Sequence, residues 1–269
     1  MPLPRSLLTD AASAAPVPHT ALPRRSLVTE TWLVLGLSLG ASALWSILSL
    51  VNKLTQQVAL NQQTTTMNNS VTPERPWLDL AYQLLPIGLG VVPALIAVHL
   101  LRRDDPAAAR EIGIDRSRPA ADLLQGGALT LVIGIPGLLL YLGARAAGLN
   151  TTIAAANLTG QWWTIPVLIL AAAQNAILEE VVMIGYLLTR WRQAGWATPL
   201  AIGVSALIRG GYHLYQGFGG FVGNALMGVL FGLFFVRTTR VLPLVIAHTL
   251  VDIAAFVGYT LLRSRVGWL

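Results

Sequence analysis

A chain of 269 residues that is 54% hydrophobic and only 11% charged carries about half the charge of an ordinary soluble domain, and several of its apolar runs exceed the ~18 residues that mark a membrane span. Sustained alternation is absent, which argues against a β-barrel; with no cysteine in the sequence there is no disulfide, thiol nucleophile or cysteine metal site. The formal charge of +6 is nearly all arginine, Lys53 being the only lysine, and these cations mark the ends of apolar runs without the interleaved aromatics of a nucleic-acid surface.

The expected class is an all-α, polytopic membrane protein with about seven transmembrane helices. Residues 1–29, rich in Pro, Ala and Ser, read as a disordered cytoplasmic tail, since the compact apolar core and cleavage site of a signal peptide are missing. An N-terminal set, 30–145, holds three spans at 31–51, 77–101 and 120–142. Pro86 and Pro93 are placed to kink the second. A C-terminal set, 161–262, holds four more at 161–190, 200–213, 221–236 and 242–262. Polar loops at 61–70 and 143–160 separate spans. No internal repeat is visible.

Arginine placement sets the expected orientation. With the N-terminus inside, the inner side holds Arg24, Arg25, Arg102, Arg103, Arg110, Arg116, Arg118, Arg190, Arg192, Arg237 and Arg240, and the outer side Lys53, Arg75, Arg145, Arg263 and Arg265. The excess favours a cytoplasmic N-terminus and, with seven spans, an outer C-terminus. So arginine-biased a composition suggests a GC-rich bacterial genome, hence a bacterial cytoplasmic membrane.

The chain is organised around Leu178-Glu179-Glu180-Val181-Val182-Met183-Ile184-Gly185. Two adjacent carboxylates lie inside an apolar run. A charge near a bilayer midplane costs at least ~2.5–3.5 kcal/mol, so such residues face a bundle interior and are functional candidates by default. The plainer alternative is a structural pair, each Glu bonded to a neighbouring helix. Adjacent helical positions differ by ~100° in direction, so one Glu can work while the other is structural.

Two later spans bring more polar groups. Arg209 and His213 lie four apart, as do His248 and Asp252, so each pair shares a helix face. A lone intramembrane histidine is more often a satisfied core residue; three helices with this chemistry argue for a site. A carboxylate and an imidazole can deprotonate a water, and a second imidazole can donate to a developing oxyanion. The same groups could ligate zinc. Ser205 has no base at helical spacing, so nucleophilic serine catalysis fits worse. His19 and His99 stand apart.

Glu-Glu on one helix, a His on the next and His-xxx-Asp on a later one resemble the CAAX-protease and bacteriocin-processing (CPBP, or Abi) family of intramembrane proteases, which includes the type II CAAX prenyl endopeptidases. The likeness covers roughly 162–262. The family blocks EExxxR, FxxxH and HxxxN/D fall on Glu179 to Ile184, Arg209 to His213 and His248 to Asp252. The resemblance implies hydrolysis of a peptide bond in a membrane-associated peptide or protein. It implies Glu179 as general base, with His213 helping to activate water. His248 would stabilise the oxyanion, Asp252 would assist it, and Glu180 would support. Prenylated substrates are typical of the eukaryotic branch, so a bacterial chain need not share them. No cofactor is expected to be required. If a divalent metal such as zinc takes part, Glu179, His213 and His248 are the implied ligands; nothing resembles a closed zinc shell or an HExxH helix.

Three positions depart from the family pattern: Ile184 stands for Arg, Arg209 for Phe, and Asp252 for the commoner Asn. Arg209 in a span needs a partner, and Glu180 lacks the family's arginine one helical turn on. The expectation is that the cation has moved, with Arg209 pairing Glu180 or Glu179 from the next helix. Two other functions compete: a proton-coupled transporter using Glu179, Glu180 and His213, which inverted repeats would favour, and a non-catalytic, bacteriocin-immunity-like scaffold, which the missing arginine favours.

Overall fold

The computed structural model describes residues 20–158 and 160–265. All seven segments expected to span are helical. Helix α1, Arg24–Gly36, meets α2, Leu39–Leu54, at a 50° bend. At the bend Ser38 leaves helical geometry, and its hydroxyl donates to the Val34 carbonyl at 2.6 Å. Because α1 begins at Arg24, residues 24–29 are not part of a tail. Leu27, Thr31 and Val34 recur at helical spacing and are buried, so this segment has a face to pack. Residues 1–19 of the expected tail lie outside the described residues.

Helices α3, Pro76–Gly90, and α4, Val92–Asp104, form the second span, interrupted at Val91. Pro93 stands in the first turn of α4, where its missing N–H costs nothing. Helix α5, Pro119–Ala146, contains Pro136. The fourth span is a rod of α6, Thr164–Glu179, a π-helical segment, Glu180–Tyr186, and α7, Leu187–Gln193. Then follow α8, Thr198–Gly211, α9, Phe218–Thr238, and α10, Leu242–Leu262.

Five helical stretches among the described residues are long and apolar enough to cross a membrane, and the bent α1–α2 pair makes up to six. The remaining expected span is α8. Its 14 residues reach ~21 Å, short of the ~30 Å hydrocarbon core. The chain is an all-α polytopic membrane protein, with five to six full-length spans.

The connections nevertheless alternate between two layers. In one layer β1, Thr64–Thr66, pairs in parallel with β2, Thr152–Ala154, in the register Thr65↔Ile153. Asn150 bridges Gly217, and the Lys53 ammonium donates to the Tyr215 carbonyl at 2.8 Å. In the other layer the Val241 N–H donates to the Ile112 carbonyl at 2.9 Å, and Arg240 pairs with Asp122 at 2.7 Å and Asp115 at 3.2 Å. Short as it is, α8 runs from the second layer to the first.

The rod is the axis of the bundle. Its most apolar window is 61% buried, against 6–28% for the other full-length spans, so it is enclosed by protein while they face lipid. Helices α8 and α9 cross closely. A Cβ on Gly228 would come within 3.0 Å of Ala206 Cα, and one on Gly232 within 2.9 Å of Ile202. Two glycines four apart give one smooth helix face, the usual device for close packing where lipid removes the hydrophobic drive.

Candidate active site

Glu179 closes α6 and Glu180 opens the π segment. A π turn is a frequent local deformation at functional sites. Here both adjacent carboxylates reach one cation. Arg209, near the end of α8, is fully buried. Its Nη1 donates to Glu180 Oε2 at 3.1 Å and its Nη2 to Glu180 Oε1, a two-pronged grip. Nη2 also donates to Glu179 Oε2 at 3.1 Å. The cation expected to move from the rod to the next helix is thus found on α8, bound to both carboxylates. The π segment has its own brace: Ser205 Oγ, on α8, donates to the Met183 carbonyl at 2.8 Å.

The stem of Arg209 runs over Gly228, whose missing side chain leaves room for its Cδ. The guanidinium carbon lies 5.5 Å from the centroid of Phe231, a cation–π distance. Its Nε finds no hydrogen-bond partner among the described residues.

His248, near the start of α10, brings Nδ1 to 2.7 Å from Glu180 Oε1. Asp252, one turn on, holds Oδ1 3.7 Å from His248 Nε2. Both acceptors beside the ring are carboxylates, which cannot donate when ionised; Arg209 Nη2, 3.2 Å from Nδ1, is a second donor to the same Glu180 oxygen. The surroundings therefore suit a ring with a proton on each nitrogen. Glu180, not Asp252, makes the close contact.

His213 sits apart from this trio. Its Nδ1 lies 3.0 Å from the Arg209 carbonyl. A carbonyl only accepts, so Nδ1 carries the hydrogen and Nε2 presents the lone pair. The ring stacks beside Tyr212 and Tyr215, at 4.7 and 6.3 Å between centroids. Burial pushes the Tyr215 phenol up to about 12, so it stays neutral.

Sequence reasoning missed two members of the cluster. The Tyr212 hydroxyl donates to Glu179 Oε2 at 2.8 Å. Asn175 Nδ2 lies 3.5 Å from Asp252 Oδ2. Signals existed for both: Tyr212 is three residues from Arg209 and next to His213, and Asn175 is an amide one turn before Glu179 in an apolar run.

Glu179, Glu180 and His248 are the group of ligand-type side chains, among the described residues, whose donor atoms lie within 4.8 Å of one another. His213 is not in that group, so the implied set of Glu179, His213 and His248 is not assembled. The types suit zinc. The arrangement does not, because the Arg209 guanidinium already holds carboxylate lone pairs a metal would take.

Residues 161–254 match the family described as Rce1-like, type II CAAX prenyl endopeptidase. Neither a curated protein nor a solved structure matches the chain. The C-terminal region, from just before the rod to two residues past Asp252, is thus similar to the CAAX-protease type of membrane region. At the level of the family the match supports a CAAX endopeptidase type of hydrolase.

Proposed function

We propose that this protein is an intramembrane endopeptidase that hydrolyses a peptide bond of a membrane-associated peptide or protein with water activated by Glu179 and His213. The observation that carries this reading is the convergence of three separate helices on one buried cluster, with Arg209 of α8 bound to Glu179 and Glu180 of the rod beside His248 of α10. Glu179 has one oxygen committed to Tyr212 and Arg209. Its other oxygen has no hydrogen-bond partner among the described residues and is free to hold a water. His213 Nε2 offers the second acceptor. As the water attacks the carbonyl carbon, its proton passes to this pair and the carbonyl oxygen gains charge. His248 Nε2–H is the donor for that oxyanion. Glu180 and Asp252 on either side stabilise the doubly protonated ring. Collapse of the tetrahedral intermediate breaks the C–N bond, and the same proton returns to the leaving amine. Arg209 and Tyr212 position the carboxylates and touch no reacting atom.

One observation favours a second reading. A guanidinium that binds both carboxylates occupies lone pairs a base would use, which suits a non-catalytic scaffold. The experiment is to reconstitute the purified protein in vesicles with a library of transmembrane peptides and read fragments by mass spectrometry. Discrete cleavage sites that persist in chelator support the hydrolase. Intact peptides throughout support the scaffold.

A further inference from the structure

The cation in the cluster has a consequence for metals. Two carboxylates and an imidazole, drawn from the rod and α10, present donor atoms within 4.8 Å of one another. Zinc at ~2.0–2.2 Å from each would draw them to roughly 3.4 Å, the edge of a tetrahedron of that size. Their spacing is uneven instead, with Glu180 Oε1 and His248 Nδ1 at the 2.7 Å of a hydrogen bond, and all three surround one nitrogen. Arg209 Nη2 reaches Glu180 Oε1, Glu179 Oε2 at 3.1 Å and His248 Nδ1 at 3.2 Å. One atom of one side chain thus touches every member of the set.

We propose that Arg209 is a tethered cation occupying a latent divalent-metal site formed by Glu179, Glu180 and His248, and that its removal opens this site to a zinc-like ion. The donor atoms are of the kind borderline divalent ions prefer, carboxylate oxygen and imidazole nitrogen. The site is also enclosed: Glu180 and Arg209 are fully buried, His248 is 4% exposed and Glu179 8%. Bare carboxylates there demand a positive partner. Finally, the cation is removable without breaking main chain. Its stem lies in the hollow over Gly228, so truncating it leaves space for an ion and its water where the guanidinium was.

This proposal does not depend on proteolysis, because no substrate enters it. The native chain takes no metal at this place, since a dication would have to displace a guanidinium fixed from α8. In Arg209→Ala the pairing falls to whatever cation is supplied. His248 would turn Nδ1 or Nε2 to the ion as a neutral ring, and the proton it loses is released to solvent on binding.

The experiment is a cobalt(II) titration of the detergent-solubilised full chain, read by its visible d–d bands. Wild type is expected to give no such bands. Arg209→Ala is expected to bind cobalt stoichiometrically, with bands of a four-coordinate site. Arg209→Ala with His248→Ala should lose them. Guanidinium chloride at low millimolar concentration should displace the metal, because it restores the native occupant. Arg209→Ala that is recovered only when zinc or guanidinium is present during extraction meets the same expectation. The proposal is overturned if folded Arg209→Ala takes no cobalt, or if neither cation recovers the variant. It is equally overturned if wild type shows His248-dependent bands with Arg209 in place.

Discussion

At the residue scale the fate of Arg209 organises the site. Its guanidinium offers two parallel bonds to Glu180 and a further one to Glu179, a geometry a lysine cannot reproduce. Removing one partner of a buried ion pair costs about 3–5 kcal/mol, mostly because the other charge is stranded. Arg209→Phe is therefore expected to lower thermal stability in detergent and to abolish any activity. Pairing it with Ile184→Arg returns a cation to the rod beside Glu180, and the double variant should regain much of the loss. Thermal melts of the four proteins read the coupling. Simple additivity, within about 0.5 kcal/mol, would refute the exchange. This pairing was legible in the sequence, because an arginine inside an apolar span and a glutamate lacking its usual partner are two halves of one anomaly. Tyr212 was not legible. A phenol reads as an apolar residue until its neighbours are known.

Among the elements, the rod and α8 matter most to the site. The apolar runs marked all seven segments as helices, since a stretch of side chains long enough to cross lipid must satisfy its backbone internally. The π segment was hidden because nothing in Glu-Val-Val-Met-Ile-Gly-Tyr differs from an ordinary α-helical sequence. The short length of α8 was legible, since the expected segment 200–213 has the same 14 residues as the helix; Gly210 and Gly211 end it as readily as they continue it. The brace between the two elements is Ser205, whose hydroxyl donates to the Met183 carbonyl within the π segment. Ser205→Ala would leave that buried acceptor unpaired. A loss of about 1–3 kcal/mol is expected, seen as a lower melting temperature with the helical content unchanged. Unaltered stability would show that the π segment holds itself.

For the whole molecule the two connection layers matter most. Their loops were legible as polar stretches, but the pairing of 64–66 with 152–154 was not, because three-residue strands have no periodicity to detect. In the opposite layer Arg240 joins Asp115 to Asp122. Hydrogen bonds from the Ser117 hydroxyl and N–H, then from Arg240, hold the Asp115 carboxyl well below the usual carboxylate range. A depressed folded value means the contribution is complete at neutral pH and is lost as pH falls below about 4, the ordinary carboxylate value. Melting temperature should fall on acidification through that window, and Asp115→Asn should flatten the fall. An identical slope in the variant would remove Asp115 from the clamp. Alternation of the layers also sets the topology. Reporter fusions at Arg110 and after Leu269 should report opposite sides, with Arg110 cytoplasmic by its arginine-rich surroundings. Both on one side would refute the alternation.

Function hangs on whether the buried cluster acts on water. The most direct measurement is cleavage of a transmembrane peptide in vesicles made up in ¹⁸O-water, wild type beside Glu179→Gln. Hydrolysis by an activated water predicts one heavy oxygen in each new carboxyl terminus from wild type. Glu179→Gln should still insert and fold yet release no fragment, since an amide cannot accept the water's proton. Labelled product from Glu179→Gln at the wild-type rate would contradict the account.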